Sequence, residues 1–233
     1  MTKSILNQED VFDMLDAMLR EPKDFWEGFY SDRSKEVPFF KINGPDENLT
    51  EYFQHDIKPG RVLELGCGPG RNAIYMAQKG CNVDALDISQ NAINWASERA
   101  ATEKVDINFH CISLFDLDFV PHSYDFVYDC GLFHHLAPHR RLSYFELVKK
   151  ALKKDGRFGM VCFTPEGAAE TLDWDIYRNG SMNRGIGYSE ERLKNILSQD
   201  FSLIKFRKMM KINQPAAKFG KDFLWTILME LKS

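Results

Sequence analysis

No run of apolar residues approaches the ~20 that a membrane-spanning helix requires. The opening stretch, MTKSILNQEDVFDMLDAML, has no basic n-region, apolar h-region or small-residue cleavage site, which argues against secretion. The five cysteines, Cys67, Cys81, Cys111, Cys130 and Cys162, are odd in number and form no C-x-x-C or other metal-ligand spacing. They are expected to be reduced, mostly buried thiols of a cytoplasmic protein. Internal repeats, low-complexity tracts and linkers are absent as well.

There is no strong excess of either charge, since the 233 residues carry a formal net charge of -4. That balance hides an asymmetry. Residues 1–139 hold 12 basic and 23 acidic side chains, and residues 140–233 hold 18 and 11. A basic half can mark a nucleic-acid partner. Here no basic cluster is interleaved with aromatics as single-strand binders require. Lys149, Lys150, Lys153 and Lys154 read instead as a solvated helix end and its turn, and no nucleic-acid partner is expected.

What is present is an alternation of elements. Asn7 to Arg20 has helical periodicity, with Asn7 as cap and Pro22 as its end. An aromatic segment, DFWEGFYSDRSKEVPFF, and a short helix around Leu49 to Phe53 follow. From residue 61 the rhythm is strand, helix, strand. Strands are expected at 61–65, 82–87, 107–113, 124–129 and 157–164. Helices are expected at 71–79, from Ser89 to about 102, from 138 to about 152 (closed by an Asp155-Gly156 turn) and from 189 to about 199. Two apolar stretches, 202–211 and 222–231, close the chain without a helix between them. The pattern implies a doubly wound α/β fold: a mostly parallel seven-stranded sheet, helices on both faces and an antiparallel last strand. The expected organisation is a single domain over 1–233. It divides into an N-terminal helical and aromatic cap (1–58), a core (59–164), a lid loop (165–188), and a C-terminal helix with strands (189–233).

ELGCGPGRN, Glu64 to Asn72, joins the first strand to the first core helix. Its glycines allow a sharp turn and let a ligand reach the main chain. Asp87 ends the second strand, where a carboxylate can accept both hydroxyls of a ribose. Dinucleotide enzymes use G-x-G-x-x-G and place a pyrophosphate on the helix N-terminus. This chain has G-x-G-x-G preceded by the acid Glu64, which would repel a pyrophosphate and suits an ammonium.

VLELGCGPG resembles the first motif of the class I S-adenosylmethionine-dependent methyltransferases, and the resemblance spans roughly residues 60–165. Within that class GRNAIYMAQKGCNVDALDIS looks like the tellurite-resistance and thiopurine branch of small-molecule enzymes. The resemblance implies S-adenosylmethionine as cofactor and assigns residues to it. Gly66, Cys67 and Gly68 would face the aminocarboxylate and ribose, Asp87 would hold the ribose hydroxyls, and Ile88 would pack on adenine. Where relatives carry Asp after the third strand, this chain has Ser113 and Leu114. Asp129, Cys130 and Gly131 would border the methionine part. Tyr30, Glu64 and Asn72 complete the expected donor set, with Asn72 and Arg71 equally readable as helix packing.

The acceptor side is expected to be aromatic. Trp26, Phe39 and Phe40 precede the core, and Trp174, Tyr177 and Arg178 lie in the long stretch 165–188, which reads as a lid. His134 and His135 are the candidate general bases, with ordinary pKa values near 6.5; the other reading of His135 is a packed side chain that shapes its loop. The chain lacks N/D-P-P-Y/F after the fourth strand, lacks any Pro-Cys, and lacks paired acids after strands four and five. Amino-methylating nucleic-acid enzymes, cytosine C5 enzymes and magnesium-dependent catechol-type enzymes are each disfavoured. No metal is expected. A small-molecule acceptor leads; a donor-binding sensor or scaffold without turnover and an RNA or protein methyltransferase remain open.

Overall fold

The computed structural model describes residues 4–213 and 217–232. Two helices begin it, α1 (Gln8–Asp16) and α2 (Pro22–Tyr30). Asn7 caps α1 by accepting from Asp10 N, and Asp10 returns the bond to Asn7 N. The single helix expected to Arg20 therefore stops at Asp16. Pro22 does not merely end it. It opens α2 at a first-turn position, where its missing N–H has no partner to lose. α3 (Glu47–His55) leads into the sheet.

The central elements follow the expected order: β1 (Arg61–Leu65), α4 (Arg71–Gln78), β2 (Asn82–Asp87), α5 (Gln90–Glu103), β3 (Asn108–Cys111), β4 (Tyr124–Cys130), α6 (Arg140–Ala151) and β5 (Leu152–Phe163). Then come α7 (Asp173–Asn179), α8 (Glu190–Leu197), β6 (Phe201–Lys208) and β7 (Leu224–Leu231). The Asp155-Gly156 turn is not a separate feature. β5 starts directly after α6, and the irregularity is taken up by a register shift against β4 between Tyr124 and Phe126. α7 falls inside the stretch expected to lack any element.

The strand order is β3-β2-β1-β4-β5-β7-β6, with β7 antiparallel to both neighbours. The order reverses between β1 and β4, and the crevice beyond the carboxyl ends of those strands is where such sheets bind ligands. Side chains alternate across the sheet. Leu63, Leu65, Val127 and Phe158 pack with α6 and α8, while Val62, Phe126 and Tyr128 pack with α3 and α4. A third, small cluster joins Tyr30, Phe40 and Ala92 to Trp26, Phe29 and Trp95, fixing α2 against α5. Glu27 adds a polar tie, accepting from Ser89 Oγ at 2.7 Å and Asn91 N at 3.2 Å at the start of α5. Among the described residues no helix is long and apolar enough to cross a membrane.

Candidate active site

The loop after β1 is held by β2. Cys67 N donates to Leu86 O at 2.8 Å, and Gly68 N donates to Asp87 Oδ2 at 2.9 Å. The second oxygen of Asp87 accepts from Ser89 N at 2.9 Å. Burial pushes the Asp87 carboxyl up to about 6, against these amide bonds. The carboxylate keeps acceptor capacity for a ligand hydroxyl. Gly66 and Gly68 have φ of +67° and +51°. A Cβ on Gly68 would stand 2.8 Å from the Tyr30 hydroxyl, and one on Gly66 would stand 2.8 Å from Leu132. The loop is thus glycine-built both for its left-handed turns and for the side chains laid across it.

A polar network lies beside the loop. Arg71 and Asn72 open α4 and are 6% and 3% exposed. The Arg71 guanidinium meets Asp46 Oδ1 at 2.5 Å and lies over the Phe219 ring at 4.4 Å. Asn72 Nδ2 and the Tyr128 hydroxyl both donate to Asp46 Oδ2, at 3.1 and 2.7 Å. Glu64, pointing to the same face of the sheet, is 1% exposed, and its Oε2 has no hydrogen-bond partner. Burial, opposed by Arg71 and reinforced by Asp46, raises its carboxyl to about 8.

Between loop and network is a cavity of about 140 Å³. Of the residues expected at the donor, Tyr30, Glu64, Gly66, Cys67, Gly68 and Asn72 line it, and Cys130 and His134 line its other side. Asp87 lies behind Gly68. Ile88, Ser113 and Leu114 sit beyond Asp87, off the cavity. Ser113 Oγ accepts from Phe115 N at 3.3 Å, and the Ile88 carbonyl accepts from Cys111 Sγ.

Other expectations are corrected. Asp129 points to the opposite face from Cys130 because strand side chains alternate. Its oxygens are taken by Leu132 N, Phe133 N and the Tyr144 hydroxyl at 2.6–3.0 Å, so it orders the loop after β4 rather than lining the cavity. His135 is wedged between Trp26, 4.9 Å away, and Gly185, with its Nδ1 buried and unpartnered. Burial lowers its pKa to about 3, and it does not line the cavity. Nδ1 of His134 accepts a backbone N–H from Phe163 at 3.2 Å. Neither imidazole is therefore disposed as a general base. Trp26 and Phe40 stack around Tyr30, behind the cavity wall. On α7, Trp174 is 77% exposed, Tyr177 binds His139 Nδ1 at 2.7 Å, and Arg178 pairs with Asp175. None of the three reaches the glycine loop, because α7 packs by Ile176 into the core beside α6.

The reading of the sequence missed Asp46, Phe163, Phe219 and Phe223, which complete the site or its support. Asp46 sits in an unremarkable Gly-Pro-Asp turn, and the last two phenylalanines come from the β6–β7 connection. Nothing local ties them to residue 66. Arg71 carried a signal in Gly-Arg-Asn; it lines the cavity while its guanidinium is held by Asp46.

Fold, glycine loop and Asp87 together define a class I methyltransferase. Residues 62–156 match the model of a methyltransferase domain family. Phosphoethanolamine N-methyltransferase 1 of Arabidopsis thaliana is 26% identical over 222 residues, covering 89% of this chain and 42% of that protein. Two solved structures share the fold. TehB from Haemophilus influenzae has a TM-score of 0.60 at 20% identity, covering 79% of this chain and 62% of the other. A Burkholderia thailandensis 1,6-didemethyltoxoflavin-N1-methyltransferase, with its substrate and S-adenosylhomocysteine bound, has a TM-score of 0.66 at 18% identity, covering 100% and 94%. The chain carries a methyltransferase domain over residues 62–156 and has the class I fold; it is an S-adenosylmethionine-dependent methyltransferase, with S-adenosylmethionine as cofactor.

Proposed function

We propose that the chain is a single-domain enzyme that methylates a small molecule held in the cavity beside the glycine loop. One observation carries this reading: an aromatic-walled, partly open cavity adjoins the donor loop at the switch point of the sheet. Bound there, S-adenosylmethionine supplies an electrophilic methyl group. Asp87 would accept the ribose hydroxyls, Glu64 Oε2 would meet the ammonium, and Gly66 to Gly68 would hold the methionine chain. The residues present fit that group, since an orphaned buried carboxyl oxygen is what an ammonium would satisfy. In-line displacement asks the protein for alignment and exclusion of water, both supplied by the phenylalanine wall.

Enclosing sites for molecules of cofactor size run to ~300–1,000 Å³, so the 140 Å³ present must widen to take donor and acceptor together, the acceptor against the phenylalanine wall and the donor against the glycine loop. Tyr30 lies across Gly68; α2 would move aside to admit the adenosine and settle back over the bound donor.

Small-molecule acceptors are supported by the kinds of methyltransferase this chain resembles. A nucleic-acid acceptor is disfavoured by how the basic half is spent. Lys149 pairs with Asp200, Lys153 with Asp125, Lys205 with Glu51 and Arg207 with Glu47. The five free thiols, three of them buried, suit the reducing cytoplasm. A methyl-release assay across thiols, amines, phenols, carboxylates and metalloid anions tests the reading. Turnover of one class supports it; tight S-adenosylhomocysteine binding without turnover of any class would favour the sensor or scaffold.

A further inference from the structure

The cavity wall facing the glycine loop carries information on the acceptor. His134 is 3% exposed and stacks on Phe163 with ring centroids 3.7 Å apart. The amide of Phe163 can only donate, so the Nδ1 it meets bears no proton. Burial, and then the neighbouring His135, hold this imidazole well below its ordinary pKa. The neutral ring consequently carries its hydrogen on Nε2. Among the described residues nothing hydrogen-bonds to Nε2. The Cε1–Nε2 edge lies against Gly131, and both residues line the cavity.

The same cavity is lined by Phe39, Phe163, Phe219, Phe223 and Leu224, among other apolar residues. Among the described residues lining the cavity, the charged ones are Glu64 and Arg71. Arg71 is committed to Asp46 and covered by Phe219. A phosphate or carboxylate is recognised by unspent cations in fork geometry, and this wall provides none. Flat aromatic faces with one neutral donor select a different ligand.

We propose that the acceptor is a flat, uncharged molecule bearing a carbonyl oxygen or ring nitrogen, read by the Nε2–H of His134 as a specificity-determining donor. The inference rests on the donor-cavity reading above.

The test uses the whole chain saturated with S-adenosylhomocysteine and labelled with 15N-histidine. 2-Quinolone serves as the flat carbonyl probe and phosphoethanolamine as the phosphorylated one. The expected spectrum shows His134 in the Nε2–H form, without titration between about pH 5.5 and 8. 2-Quinolone should shift that resonance. Its affinity should fall at least ~tenfold in His134→Phe, which keeps the stack on Phe163, and recover in His134→Gln, which restores a donor. An Nδ1–H tautomer, an imidazole titrating in that range, 2-quinolone that does not bind or binds His134→Phe equally, or tighter binding of phosphoethanolamine would each overturn the proposal. Calorimetry of S-adenosylhomocysteine on the same samples separates the two levels. Failure of the wild type to bind it sinks the cavity reading, whereas normal binding with any of the adverse results sinks only the acceptor inference.

Discussion

Arg71 and Asp46 meet at 2.5 Å, with side chains 6% and 0% exposed, and no bulk water screens the contact. Removing one partner of a buried pair leaves a charge without compensation, at a cost of about 3–5 kcal/mol. Asp46→Ala should therefore destabilise the protein by an amount of that order in chemical denaturation. Asp46→Asn, which keeps an acceptor for Tyr128, should cost less. Equal stability of Asp46→Ala and wild type would mean the network does not form in solution.

Asp87 is expected to dominate donor affinity. Hydrogen bonds to a charged acceptor are worth about 1.5–3 kcal/mol each. Asp87→Ala should weaken S-adenosylhomocysteine at least ~tenfold by calorimetry, against that per-bond value. Because burial raises the Asp87 carboxyl to about 6, wild-type affinity should strengthen as pH rises through 6 and the variant's should not. Unchanged affinity in Asp87→Ala would remove this carboxylate from the site.

Glu64 makes a separate prediction about stability. Its folded pKa, about 8 by burial, lies above the unfolded value near ~4.3, so the folded state binds the extra proton between them. Stability from this group is then greatest at low pH and is lost as pH climbs toward 8. Asp87 acts the same way up to about 6 and Asp129 up to about 7, while the buried His135 opposes them below its ordinary 6.5. From pH 6.5 to 8 Glu64 acts with little opposition. Thermal melts should show a falling midpoint over that interval and a flatter profile in Glu64→Gln. Parallel profiles would show that Glu64 is already ionised at neutral pH.

Gly68→Ala should cost about 1–2 kcal/mol from the left-handed backbone alone. The new methyl also meets the Tyr30 hydroxyl. Tyr30→Phe in the same chain should return only the part due to that clash. Full rescue by Tyr30→Phe would show that the backbone strain is negligible.

Donor binding should protect amides of α2, of residues 38–40 and of the glycine loop in hydrogen exchange, and leave α7 unchanged. The wider lid expected over 165–188 would add α7 to the protected set, whereas the side chain found against Gly68 is Tyr30 of α2. Protection of α7 comparable to that of α2 would restore the wider lid. Methyl transfer should also survive EDTA; loss of activity recovered by magnesium or zinc would reopen the question of a metal.

The sequence by itself determined the elements that depend on neighbours along the chain. Short apolar runs alternating with helical segments marked β1, β2, β4 and β5, and the glycines between β1 and α4 marked the donor loop, because these features are properties of ten consecutive residues. Alternation along β4 was legible too, yet which face would look into the site was not. Cys130 faces it and Asp129 faces α6, a choice made only when the sheet was covered on both sides. The tautomer of His134 was set by the Phe163 amide, 29 residues away, and the charge of Arg71 was matched by Asp46, 25 residues before it. Pairings of that kind follow from desolvation at the switch point of the sheet. A buried group must find its partner wherever the fold delivers one, and chain spacing holds no record of that address.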